Sequence, residues 1–175
     1  MESLNLYTIK NMESKYEEEI LNTGRLIFND DDMSLLYKAL TLYVKALSYV
    51  FIDTNKNQMA GFILVCKKYT KVYHKFMNTV PNCFEVAFLG IHPSYQGKGL
   101  GYQCLNRALL SIFKICRQFN AWLIVNTDNI TAIKLYKKIG FIHWKYIPHD
   151  KYPSYIMGIS FRRYIKIISS QMLLN

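Results

Sequence analysis

The sequence predicts one mixed α/β (α+β) domain, a central sheet of about seven strands flanked by about four helices. Three observations predict it. Short apolar runs of strand length are interleaved with longer stretches of helical period. Two such runs near the start, around "IDTNKNQM", and two at the end are separated only by polar turns, so the chain is not a strictly alternating doubly wound fold. In the middle, a near-continuous apolar run passes through glycines straight into an amphipathic stretch.

The elements follow in order. "LNLYTIK", Leu4 to Lys10, alternates like a first strand. From Tyr16 to Ser48 the period is helical, with Asp30, Asp31 and Asp32 suited to a cap and first turn and Leu36, Leu40, Tyr43 and Leu47 at helical spacing. "YVFIDTNKNQMAGFILVCKKY" reads as a hairpin turning at Asp53–Asn57. A polar loop is expected from Thr70 to Asn82, and then "CFEVAFLGI" as a buried strand containing Glu85. Leu105, Ala108, Leu109, Ile112, Cys116 and Phe119 form one face of the next helix, Gly99 to Phe119. "AWLIV" is a short buried strand, "NITAIKLYKKI" a helix closed by Gly140, and "FIHWKYI" and "YPSYIMGISF" the last two strands. No repeat, low-complexity tract or Pro/Gly-rich linker divides residues 1–175.

The hydrophobic content of 51% with 19% charged residues describes a chain that folds around a core. The net charge of +10 favours anionic partners, but the cations fall as short pairs, Lys67–Lys68, Lys137–Lys138 and Arg162–Arg163, which reads as general surface charge. Cys66, Cys83, Cys104 and Cys116 show no CxxC spacing and no histidine cluster, so neither a metal site nor a disulfide framework is expected. No signal pattern opens the chain, and "SLLYKALTLYVKALSYVFI" is interrupted by Lys38 and Lys45, so no membrane span is expected. A soluble, reducing, cytoplasmic setting is the default.

"HPSYQGKGLG", His92 to Gly101, carries the chemistry. A helix begins with about four amides that lack partners, at the positive end of its dipole. Small residues let a ligand's phosphate approach them. Gly97 and Gly99 let the backbone bend, Gly101 lets the first helical turn pack closely, and Lys98 adds charge. The glycine register excludes a Walker A loop and a dinucleotide fingerprint. A plain strand-to-helix turn is the other reading of this segment. Likewise "NTDNITAIKLYKKIGF" can be a capped helix with a core tyrosine, Asn129 as its cap and Tyr136 one turn beyond Ala132.

Taken together, Q-x-x-G-x-G after a strand and N-x-x-A-x-x-L-Y-x-x-x-G-F further on resemble the GNAT superfamily of N-acetyltransferases. The matching residues are Gln96, Gly99 and Gly101, then Asn129, Ala132, Leu135, Tyr136, Gly140 and Phe141. "LGIHP" resembles the family's fourth-strand ending. The resemblance implies a sheet whose middle parallel strands splay, with acetyl-CoA as co-substrate between them and no metal. Its diphosphate would rest on the amides of Gln96, Gly97, Lys98, Gly99, Leu100, Gly101 and Tyr102. The pantetheine would pair with the backbone of Leu89, Gly90 and Ile91, and Asn129 and Tyr136 would complete the cofactor site. The departure is at Gly97, where the family often has a basic residue.

The reaction implied is direct attack of a neutral amine on the thioester. Tyr136 stands at the family's proton-donor position, a phenol of pKa ~10 beside the leaving thiolate, or packs against pantetheine. Glu85, a lone carboxylate in an apolar strand on the face of Leu89 and Ile91, is the candidate base, or else a carboxylate paired with a lysine. His74, His92, His143 and Tyr155 are lesser candidates. A covalent route through Cys83 is less favoured than direct transfer.

The acceptor would be gripped by Leu21–Asp32, Thr70–Asn82 and Tyr146–Tyr155, which bring Asp30–Asp32 and Tyr69, Tyr73, Tyr146, Tyr152 and Tyr155. Acidic residues with aromatic walls suit a cationic amine. The reading favours a protein or peptide acceptor, an N-terminus or lysine. A polyamine or aminoglycoside acceptor and an inactive acyl-CoA-binding module are the alternatives. A nucleic-acid partner is not favoured, because no such motif accompanies the charge.

Overall fold

The computed structural model describes residues 6–67, 83–115, 117–149 and 151–172. The expected loop Thr70–Asn82, with Tyr73 and His74, lies outside them, as do Tyr69, Cys116 and the first residues of the expected first strand.

Seven strands form one sheet: β1 (Tyr7–Asn11), β2 (Tyr49–Asp53), β3 (Gln58–Cys66), β4 (Cys83–Ile91), β5 (Asn120–Asn126), β6 (Ile142–Ile147) and β7 (Ser154–Ser160), in the order β1-β2-β3-β4-β5-β7-β6. The helices are α1 (Glu17–Arg25), α2 (Asp30–Leu40), α3 (Leu100–Ile115), α4 (Ile130–Ile139) and α5 (Phe161–Met172). Contacts group the chain into two compact units, Met1–Tyr69 with Ala87–Ala108, and Thr70–Val86 with Leu109–Asn175.

In the first unit, β1, β2 and β3 are antiparallel neighbours. Every residue of β3 from Met59 to Cys66 is buried, as a strand covered on both faces requires, and this is why its sequence is apolar without alternation. The β2–β3 turn is held by the Asp53 carboxylate, whose Oδ1 accepts the amides of Asn55 (2.8 Å) and Lys56 (3.0 Å). Ile20 of α1 and Met33, Leu36 and Leu40 of α2 cluster with Phe62 and Leu64 of β3. Each such side chain taken from water contributes about 1.5–3 kcal/mol before the entropy of ordering is subtracted.

The second unit holds β5, β7 and β6 as antiparallel neighbours, with the start of β4 paired parallel to β5. That parallel ladder comprises Cys83↔Asn120, Phe84↔Ala121 and Glu85↔Trp122. An irregularity between His143 and Lys145 re-aims β6, and the Trp144 indole lies over Gly158 of β7.

The helical stretch expected from Tyr16 to Ser48 is broken. Asn29, not an aspartate, caps α2 by accepting the Asp32 amide at 2.8 Å, while Asp30–Asp32 fill its first turn beside the positive dipole end. α2 stops at Leu40, because Val44 donates its amide to Val65 and Tyr43 bridges Cys66, drawing the chain into sheet pairing. The helix expected to reach Phe119 ends at Ile115, and Phe119 instead sets its ring edge-on to Phe84 at 5.2 Å. α5 was not anticipated. Its apolar face, with Tyr164 2% exposed, follows β7 without a turn signal.

Candidate active site

In the first unit, β4 ends in a 3-10 turn at Pro93–Tyr95. His92 anchors it twice, donating its amide to Ala60 (3.0 Å) and accepting the Ser94 amide on Nδ1 (3.3 Å). That makes the ring a cap for this turn, whatever else it does. Gln96 reaches back, its Nε2 donating to the Ile91 carbonyl at 3.0 Å.

The backbone then changes hand. Gly97 has φ +73° and Gly99 φ +78°, the left-handed region that costs an L-residue about 1–2 kcal/mol. No atom lies within 4 Å of where a Cβ would stand at either glycine, so both face open space. Among the described residues, the amides of Gly97, Lys98, Gly99, Leu100 and Gly101 make no close, well-aligned hydrogen bond to a backbone acceptor. The first α3-type bond is Gln103 to Gly99, at 3.3 Å. The Gln96 amide is different. It donates to Pro93 at 3.2 Å, so the expected amide row begins one residue later, at Gly97. Leu100, 1% exposed, pins the start of α3 into the core.

Lys98 folds back, donating to the Ser94 carbonyl at 2.8 Å with its ammonium 5.5 Å from the centre of the Tyr95 ring. Tyr95 is buried, and its hydroxyl donates to Asp53 Oδ2 at 2.9 Å. Burial and that carboxylate push its phenol up to about 12. Tyr95 is not among the residues the sequence singles out, and Asp53 is expected only as a turn residue. The available signal was an aspartate heading a hairpin turn.

In the second unit, α4 is built around Tyr136. The Asn129 side chain accepts the Ala132 amide at 3.1 Å, which commits its oxygen to the cap. At the other end Gly140 is left-handed, φ +113°. Its amide reaches Tyr136 and Lys137, and the Phe141 amide reaches Tyr136, a Schellman cap. The Tyr136 and Phe141 rings stand 5.9 Å apart. Tyr136 is half-buried, and desolvation pushes its phenol up to about 12, so it holds its proton throughout the neutral range.

Glu85 is 3% exposed on β4, opposite Trp122, and is engaged within the protein. Burial pushes the Cys83 thiol up to about 11, which suppresses the thiolate that a covalent route needs. Cys104 is shifted up by the same cause and lies fully buried. His143 stacks on Tyr155 at 4.2 Å, with Tyr146 5.8 Å from Tyr155, which gathers three of the aromatic candidates on β6 and β7. Among the described residues there is no cluster of potential metal ligands, and no helix is long and apolar enough to cross a membrane.

The chain matches the model of the acetyltransferase (GNAT) family over residues 8–141, and it belongs to that family. It is 38% identical over 63 residues to the N-alpha-acetyltransferase RimI of Mycobacterium tuberculosis, a match covering 36% of this chain and 37% of that protein. It is 39% identical over 51 residues to the spermidine N(1)-acetyltransferase of Escherichia coli, covering 29% of this chain and 27% of that one. The matched stretches thus span little more than a third of these curated relatives, or less. Ard1 from Thermoplasma volcanium shares the fold, with a TM-score of 0.69 at 19% identity over 88% of this chain and 97% of that one.

Proposed function

We propose that the protein is an acetyl-CoA-dependent N-acetyltransferase that moves an acetyl group directly onto a primary amine. One observation carries the reading: among the described residues, the successive amides Gly97 to Gly101 make no close backbone hydrogen bond, on a turn whose glycines leave their outer side open. Such a row matches a diphosphate, which brings several oxygens and negative charge to a helix start. Gly97, Lys98, Gly99, Leu100, Gly101 and Tyr102 would hold that group. Leu89, Gly90 and Ile91 would offer strand backbone to the pantetheine, and Asn129 and Tyr136 would contribute from α4.

Bound acetyl-CoA supplies the activated acetyl thioester. The chain's own work is proton traffic. An alkyl ammonium has a pKa near lysine's ~10.4 and must lose a proton to attack. Glu85, 3% exposed in an apolar strand, is the proposed acceptor of that proton. The Tyr136 hydroxyl is the proposed donor to the departing sulfur. Its high pKa keeps the hydroxyl protonated, so it can donate a hydrogen bond to the sulfur as negative charge develops there.

The acceptor we favour is a protein or peptide amine. The likeness to an N-alpha-acetyltransferase and the glutamate in β4 support it, and the likeness to a spermidine acetyltransferase supports a polyamine as the second reading. Acetyl-CoA with a panel of peptide N-termini, lysine peptides, polyamines and aminoglycosides, followed by thiol release, tests both. Coenzyme A binding with no thiol release on any amine would replace the enzyme reading with that of a binding module.

A further inference from the structure

We infer that Tyr95 and Asp53 act as a positioning pair that sets the diphosphate cradle, coupling the β2–β3 turn to the start of α3. The inference rests on the reading of Gly97–Gly101 as that cradle, and it adds residues that lie outside the family motif as read from the sequence.

Little else fixes the turn. Gly97 and Gly99 have no side chains, and nothing stands within 4 Å of their open faces. A glycine populates either sign of φ about equally, so its flanks decide which one it holds. On the far side the flank is Leu100, sunk into the core. The near side has Gln96, which is tied to Ile91, and Tyr95.

Tyr95 is the more heavily bound of the two. Its ring is buried edge-on to Tyr7 at 6.1 Å and to His92 at 5.8 Å. Its hydroxyl reaches Asp53 at 2.9 Å, and Gln58 Oε1 lies 3.5 Å away. Asp53 divides its two oxygens. Oδ2 takes the tyrosine, while Oδ1 takes the amides of Asn55 and Lys56 that shape the turn between β2 and β3. A single carboxylate therefore fixes the hairpin turn and the approach to the cradle in one geometry. The same arrangement gathers charge. The Lys56 ammonium stands 5.8 Å from the centre of the Tyr95 ring, and that of Lys98 stands 5.5 Å from it. Two cations are thus held around Tyr95, two positions before the amide row, where a dianionic group gains from them.

A positioning role separates cleanly from a general structural one through the acyl donor. Acetyl-pantetheine carries the thioester arm without the diphosphate. Tyr95→Phe keeps the ring and removes only the hydroxyl. It should raise KM for acetyl-CoA about fivefold to tenfold, less than the full worth of a hydrogen bond to a charged acceptor because the hydroxyl acts through the turn, while KM for acetyl-pantetheine stays unchanged. Asp53→Asn, which leaves one oxygen for two sets of donors, should shift the same constant in the same direction. Equal effects on both donors, or none on acetyl-CoA, would overturn the proposal. The wild-type protein separates this from the underlying reading. If it uses acetyl-CoA no better than acetyl-pantetheine, the cradle assignment itself is wrong.

Discussion

The Phe141 amide donates to the Tyr136 carbonyl at 3.0 Å, and their rings lie 5.9 Å apart, so the cap that ends α4 is built on the proposed proton donor itself. In a Schellman motif the residue two past the helix touches the residue three from its end. The G-F pair after the tyrosine therefore fixes where Tyr136 sits as well as where the helix stops. Gly140→Ala tests this. At φ +113° a Cβ is strained, and it would stand 3.1 Å from side-chain carbons of Ile159 and Ile167. Urea unfolding should show a loss of about 1–3 kcal/mol. In the folded variant kcat should fall more than KM for acetyl-CoA rises, because the donor moves and the amide row does not. Equal change in both constants would detach the cap from the chemistry.

Tyr136→Phe removes the proton and keeps the ring. Loss of a general acid costs about 100-fold to 10,000-fold in kcat. Coenzyme A affinity by calorimetry should change little. Unaltered turnover would leave Tyr136 as packing.

The raised phenol pKa also makes a stability prediction. The unfolded tyrosine ionises near ~10, while Tyr136 in the folded chain ionises near about 12. Between those values the folded state binds more protons, so the stability it contributes is complete below about pH 10 and drains away as pH rises towards 12. Tyr136→Phe should flatten the fall of unfolding free energy across that window, measured by urea titration at stepped alkaline pH. An unchanged slope would mean the ring is as well solvated folded as unfolded.

Glu85→Gln keeps the shape of a residue 3% exposed and removes its basicity. If the carboxylate takes the amine's proton, kcat falls by about 100-fold or more and the acid limb of the pH–kcat profile disappears. A profile of unchanged shape would return Glu85 to satisfying its own buried contacts.

How far the sequence reached is clearest at particular residues. β3 was legible because burial on both faces leaves a continuous apolar run. α4 was legible from both ends because Asn129 and Gly140 are caps with a mechanism. Gly97 and Gly99 were legible as flexible, and the structure adds that both are left-handed and face outward. The end of α2 was not legible, since Tyr43 and Leu47 keep helical spacing while Val44 is captured by Val65, a contact between residues distant in sequence. For the same reason Phe119 read as helix face. α5 was hidden because it follows β7 with no glycine or proline between them. Tyr95 and Asp53 are separated by forty-two positions, and a hydrogen bond over that distance leaves no periodic trace.

Gly158 offers a test of the second unit that is independent of any ligand. A Cβ there would fall well inside van der Waals contact with the Trp144 indole, which the irregularity in β6 has turned onto β7. The neighbour is a rigid ring, so Gly158→Ala must displace the indole, the β6 backbone or both, at about 1–3 kcal/mol. Displacement opens the ring to water, so the tryptophan emission should move to longer wavelength in the folded variant. The urea midpoint should fall as well, with an unchanged m-value. Trp122, 4% exposed on β5, contributes a buried background, and Trp144→Phe in the same protein removes the reporting ring and identifies the signal. An alanine variant with wild-type emission and midpoint would show that Trp144 does not occupy Gly158 in solution.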